Sequence, residues 1–179
     1  SVEVLAIYYC TTRAHVDRTY AECGARGYAA FAADHRGLDD IPRHPSPLHG
    51  ESASNIASLR EVRNFLFLLN PSETFGSKEA FLAALRRTNY DLLVIDAFYN
   101  EEAFTPEEVA SLGQKQNGGA RLVVSYMSIG EAERYRYYWR PAWETAPPAW
   151  LAEENPNWPG NFKVRYWDPA WQEIICGEG

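Results

Sequence analysis

Apolar and amphipathic stretches alternate along this chain, and the alternation predicts strand-then-helix units. Residues 2–10 read as a strand. Val16, Tyr20 and Cys23 then recur at helical spacing before Gly24 and Gly27 stop the helix, and residues 28–33 form a second short strand. Pro42, Pro45 and Pro47 forbid regular structure in residues 38–51. Residues 55–63 read as a helix and 65–70 as a strand ended by Pro71. Ser77 can cap a helix whose Phe81, Ala84 and Leu85 share one face. Residues 91–98, with their Leu-Leu-Val-Ile run, are the clearest strand. Thr105, Pro106 and Glu108 announce a helix through a capping box with Pro at the first helical position, and residues 122–127 are the next strand. After a Trp- and Pro-rich excursion, residues 162–167 read as a last strand and 168–176 as a last helix.

Six such units of roughly 30 residues match the size of a βαβ repeat. Near-continuous apolar strands alternating with helices predict an α/β fold with a parallel sheet in one domain, residues 1–179. A closed (β/α)8 barrel normally takes about 250 residues. The expectation is therefore an open sheet or an incomplete barrel.

Composition narrows the function. The 179 residues carry 24 acidic and 17 basic side chains, a formal charge of -7, with no Lys/Arg block, which argues against nucleic acid as a partner. No apolar run is long enough to span a bilayer, so no membrane segment is expected. Cys10, Cys23 and Cys176 lack CxxC spacing, and His15, His35, His44 and His49 show no i,i+4 pair, so neither a metal nor a cofactor is expected. The cysteines read as buried thiols, with one disulfide possible in a secreted protein. All six Trp fall between Trp139 and Trp171. Such rings either stack on pyranose faces in a cleft or fill a core, and about two of the six are assigned to a cleft on that dual role.

The segment YMSIGEAERYRYYW, Tyr126 to Trp139, holds the most chemistry. It follows an apolar run and delivers Glu131 just after Gly130, as an α/β enzyme presents an acid beyond a strand. Ser128 and Glu131 also match a capping box, so a helix start competes with that reading. Asp96 ends the most apolar strand, and strands about 4.8 Å apart would bring both acids to one sugar. Asp168 follows Tyr166 and Trp167 at a third strand end, where it either joins the site or caps the helix beginning at Pro169. Glu133 is read as structural, beside Arg134 and Arg136, and Asp91 as a stabilising residue on the opposite rim.

In order, the stretches TNYDLLVIDAF, NGGARLVVSYMSIGEAERYRYYW and PAWLAEENPNWPGNFKVRYWDPAWQEII resemble glycoside hydrolase family 114, the endo-α-1,4-polygalactosaminidase family. The amino-terminal stretch also resembles a family segment, one associated with the closing strand of the barrel, which would imply a circularly permuted order. The resemblance implies a (β/α)8 TIM-barrel, an extracellular or periplasmic location, and cleavage of galactosamine-containing polysaccharide or oligosaccharide. The strand-end positions make Asp96 and Glu131 the candidate catalytic carboxyls, with Tyr126, Ser128, Arg134, Trp139, Tyr166, Trp167 and Asp168 as candidate substrate-binding residues. Two departures bear on hydrolysis: the family's GFDGVYLD-like strand is expected after WDPAWQEII, whereas this sequence stops at Gly179, and Tyr8-Tyr9 stand where relatives tend to carry an acid before a Tyr. The alternative is a carbohydrate-binding or incomplete barrel that pairs with a second copy through open sheet edges.

Overall fold

The computed structural model describes residues 3–177, which divide into two compact units, one running up to Tyr126 and the other from Met127 onward.

The first unit is α/β. Its elements are β1 (Leu5–Tyr9), α1 (Arg13–Ala25), β2 (Ala29–Ala33), β3 (Phe65–Leu68), α2 (Lys78–Arg86), β4 (Leu92–Asp96), a small hairpin of β5 (Phe98–Tyr99) and β6 (Glu102–Ala103), α3 (Pro106–Leu112) and β7 (Leu122–Tyr126). β1 pairs with β2 and β3–β4–β7 form a second sheet, every pair parallel, and the bridge Ala30–Asn64 joins the two sheets in the same sense. Parallel strands need covering on both faces. β2 is buried at every position and β4 at Leu92, Leu93 and Ile95, with Phe31, Phe65, Leu66, Phe81, Leu85 and Leu112 filling the core. Among the described residues this sheet is open, with β1 and β7 at its edges.

Local chemistry starts the helices as the sequence predicts. Ser77 accepts from the Ala80 N–H, and Thr105 and Glu108 close a reciprocal capping box ahead of α3. The helix expected over residues 55–63 does not form, apart from one 3-10 turn at Leu59–Glu61. Its backbone is engaged elsewhere: the Ile56 N–H donates to Ala120 O, and Asn55 Oδ1 accepts from the Ala120 N–H.

Polar groups are buried at the start of β4. Asp91 is fully buried; one carboxylate oxygen lies 3.0 Å from Lys115 Nζ and the other accepts from the Arg63 N–H at 3.0 Å. Arg121 beside it donates to the carbonyls of Leu85, Leu112 and Gln114 and to the Thr88 hydroxyl, and burial lowers its pKa to about 10.

The second unit contains β8 (Glu131–Glu133), β9 (Leu151–Glu154), β10 (Asn161–Val164) and α4 (Pro169–Cys176). Its sheet, in the order β8–β10–β9, is antiparallel. The sixth strand expected to join the parallel sheet is thus β10 of a separate antiparallel one. A short connection reverses β9 into β10, with Gly160 at φ 88° in the turn, where parallel pairing would require a long crossover. Four of the six Trp pack here: Trp139 on Trp143, Trp143 on Trp150 and Trp150 on Trp171, with centroid separations of 5.3, 5.0 and 4.9 Å. Trp158 and Trp167 are more than 60% exposed.

Candidate active site

In a parallel α/β sheet, chemistry belongs at the carboxyl ends of the strands. In the first unit Asp96 ends β4, half-buried, with its register partner Tyr126 at the end of β7. Asp96 Oδ1 accepts from the Phe98 N–H at 3.0 Å, which turns the carboxylate toward the chain leaving the strand. The Tyr126 ring meets Phe67 edge-on at 6.0 Å.

The same edge carries a group that motif reading passed over. Directly after β2, Asp34 Oδ1 lies 2.6 Å from His35 Nδ1, and Asp39 binds His35 Nε2. Hydrogen bonds to Asp39 and Asp34 raise the His35 pKa. Burial, then the like charge of Asp34, raise that of Asp40. Burial opposes ionisation of Asp39, but the bonds from His35 and Thr74 outweigh it and the net shift is downward. Asp34, His35 and Asp40 each place a donor atom within 4.8 Å of the others, so these residues have the chemistry to hold a cation, although both His35 nitrogens are already engaged by carboxylates. The available sequence signal was an acid directly following an apolar strand, the feature that singles out Asp96.

In the second unit Glu131 opens β8 rather than a helix. Gly130 O accepts from the Val164 N–H and Glu131 pairs in register with Lys163, so backbone pairing prevails over the Ser128 cap. Two side-chain amides hold the Glu131 carboxylate: Asn155 Nδ2 donates to Oε1 at 2.6 Å and Asn161 Nδ2 to Oε2 at 3.3 Å. Glu133, two residues on, is buried and salt-bridged to Arg136 Nε at 2.5 Å, the structural role expected of it, though with Arg136 as partner. The Tyr138 hydroxyl accepts from the Glu133 N–H, and burial pushes its pKa up to about 12.

The remaining candidates separate into groups. Tyr166, Trp167 and Asp168 adjoin one another beyond β10; the two rings are exposed and edge-on at 5.0 Å, and Asp168 caps α4 by accepting from the Ala170 N–H. Ser128 is half-buried before β8. Residues directly opposite across antiparallel strands share a face and neighbours along a strand alternate. Ala132 and Phe162 therefore face one side of the sheet, and Glu131 and Lys163 the other. Arg134, whose guanidinium lies 5.1 Å from the Phe162 ring centroid, and Trp139, 5.0 Å from the same ring, belong to the aromatic face, away from Glu131.

A family model described as glycoside-hydrolase family GH114 matches residues 76–178, which include both Asp96 and Glu131. An uncharacterised protein of Deinococcus radiodurans is 42% identical over 103 residues, covering 58% of this chain and 32% of its own length. An uncharacterised protein of Methanocaldococcus jannaschii is 33% identical over 132 residues, or 71% of this chain and 35% of its own. One of Thermotoga maritima is 39% identical over 93 residues, covering 49% and 27%. The chain thus spans about a third of the length of the curated relatives it matches.

Proposed function

The chain belongs to glycoside-hydrolase family GH114, and on that premise we propose that it supplies part of a (β/α)8-barrel glycosidase that cleaves galactosamine-containing polysaccharide outside the cell. The observation that carries this reading is Asp96 at the carboxyl end of β4, the middle strand of the β3–β4–β7 sheet. Glu131, whose carboxylate is held by Asn155 and Asn161 within the second unit, is the other candidate carboxyl. Glycoside hydrolysis needs two: one gives a proton to the leaving oxygen as the C1–O bond breaks, and the other attacks C1 or takes a proton from the water that does. The net charge of -7 favours approach of a polymer bearing ammonium groups. The edge strand β1, with Leu5, Ile7 and Tyr9 about 40% exposed, is where further strands of a longer protein or a second copy would pair.

The test is release of reducing ends from de-N-acetylated polygalactosamine by the longest protein that contains this chain. Glu131→Gln and Asp96→Asn keep side-chain shape and remove the titrating group, and each should lower the rate by about 100-fold or more. Near wild-type turnover removes the mutated residue from the mechanism. A parent that binds the polymer without cutting it supports the carbohydrate-binding reading instead.

A further inference from the structure

A cavity of about 390 Å³, within the range of small-molecule sites, opens in the first unit where Tyr28 leads into β2 and Val62 and Arg63 lead into β3. These are the amino ends of parallel strands, the rim opposite Asp96. Part of the wall is bare backbone. Gly24 lies in the last turn of α1, where a Cβ would stand 3.7 Å from His49 Nε2, and Gly50, at φ 67°, lets the chain pass close to Arg63. Two donors are held at the cavity by contacts that leave their tips unused. The His49 carbonyl accepts from Nδ2 of the fully buried Asn64 at 2.9 Å, and its ring stacks on the buried Tyr20 at 5.0 Å. Arg63 Nη1 donates to Arg60 O at 3.0 Å. Among the described residues no hydrogen bond occupies either ring nitrogen of His49, or Nε or Nη2 of Arg63.

Charge selects the ligand. No carboxylate lines the cavity, although the chain carries a net charge of -7. The acids nearest in sequence are turned to their own partners: Glu51 accepts from the Leu48 N–H and Asn89 Nδ2, and Glu61 from the Ala57 and Ser58 N–H groups. The negative end of α1 is covered as well, with Cys23 O accepting from the Arg26 and Tyr28 N–H groups, Gly24 O from the Gly27 N–H and Glu22 O from Arg26 Nη1. A guanidinium fork beside an imidazole N–H suits the two oxygens of a carboxylate, and one full positive charge balances a monoanion better than a phosphate dianion. Tyr28, 39% exposed, and the side chains of Val62 and Ala30 offer apolar surface for a flat body. We infer that this cavity is a binding site for a small aromatic monocarboxylate, separate from both candidate catalytic carboxyls. The inference stands whether or not Asp96 and Glu131 hydrolyse anything.

The test titrates the chain with benzoate and, separately, with the uncharged benzamide and with inorganic phosphate. Binding is read from the amide resonances of Gly24, Gly27 and Gly50 and the imidazole resonances of His49. Benzoate should shift them saturably at millimolar concentration and bind at least about tenfold more tightly than either control, the worth of one charge-assisted contact. Arg63→Gln, an exposed change, should weaken benzoate by a similar factor. Gly24→Met should abolish binding by filling the cavity, and because Gly24 is helical the substitution favours α1 and keeps the fold. Asp96→Asn should bind as the parent does, which separates failure of this site from failure of hydrolysis. No saturable shift at millimolar benzoate, equal binding of benzamide or phosphate, binding indifferent to Arg63→Gln or to Gly24→Met, or loss of binding in Asp96→Asn would each overturn the inference.

Discussion

Replacing Lys115 by Met leaves the Asp91 carboxylate buried without its countercharge. Both side chains are 0% exposed and their charged atoms are 3.0 Å apart, so no water takes over the lost contact. Breaking a buried pair on one side costs about 3–5 kcal/mol. In a chain of this length each kcal/mol lowers the melting temperature by about 2–4 °C, which places Lys115→Met roughly 6–20 °C below the parent. The double variant Asp91→Leu/Lys115→Met removes both charges. It leaves only the Arg63 N–H, which donates to Asp91, without an acceptor, a deficit of about 1–3 kcal/mol. The double variant should therefore be more stable than Lys115→Met alone. Far-UV circular dichroism in urea is the suitable assay, because all six Trp lie beyond Tyr126 and their emission reports the other unit. Lys115→Met within about 1 kcal/mol of the parent, well under the 3–5 kcal/mol of a broken buried pair, would refute the reasoning.

Two further effects are open to measurement. The folded-state pKa of His35 is raised above its ordinary 6.5 by Asp39 and Asp34, so its contribution is fully present below about pH 6.5 and is lost as pH rises through the folded value. The urea midpoint of the parent should accordingly exceed that of His35→Gln most at pH 5.5 and converge with it by pH 9, and a gap that widens with pH would contradict the assignment. Asp168→Ala removes the cap on α4 and should cost about 0.5–2 kcal/mol, read from Trp emission during unfolding, with Asp168→Ser recovering most of it; equal loss in both variants would show that the cap is not what Asp168 supplies.

Much of the first unit was legible because its signals are local. Ser77 and Thr105 sit immediately before the helices they cap, and the short, unbroken apolar run of β4, with its β-branched Val94 and Ile95, matches a buried strand. The second unit was less legible, because the pairing of β8 with β10 joins residues about 30 apart and leaves no periodic trace in three- and four-residue strands. Glu131 satisfied both a cap pattern and a strand pattern, and only its pairing with Lys163 decides between them. Asn55 fits a helical pattern locally, and its commitment to Ala120, 65 residues away, leaves no local trace. The His35 group was missed for a related reason: Asp34, Asp39 and Asp40 converge only once the loop after β2 has turned back, with Leu38 at φ 52° and its carbonyl accepting from the Leu69 and Asn70 N–H groups.

The central claim, water-dependent cleavage of an aminosugar polymer through Asp96 and Glu131, is tested most directly by mass spectrometry of products formed in water enriched in heavy oxygen. The account predicts fragments of de-N-acetylated polygalactosamine carrying one solvent oxygen at each new reducing end, and no such fragments above background from Glu131→Gln or Asp96→Asn. Intact polymer after incubation with the parent protein, or fragments without solvent oxygen, would contradict it.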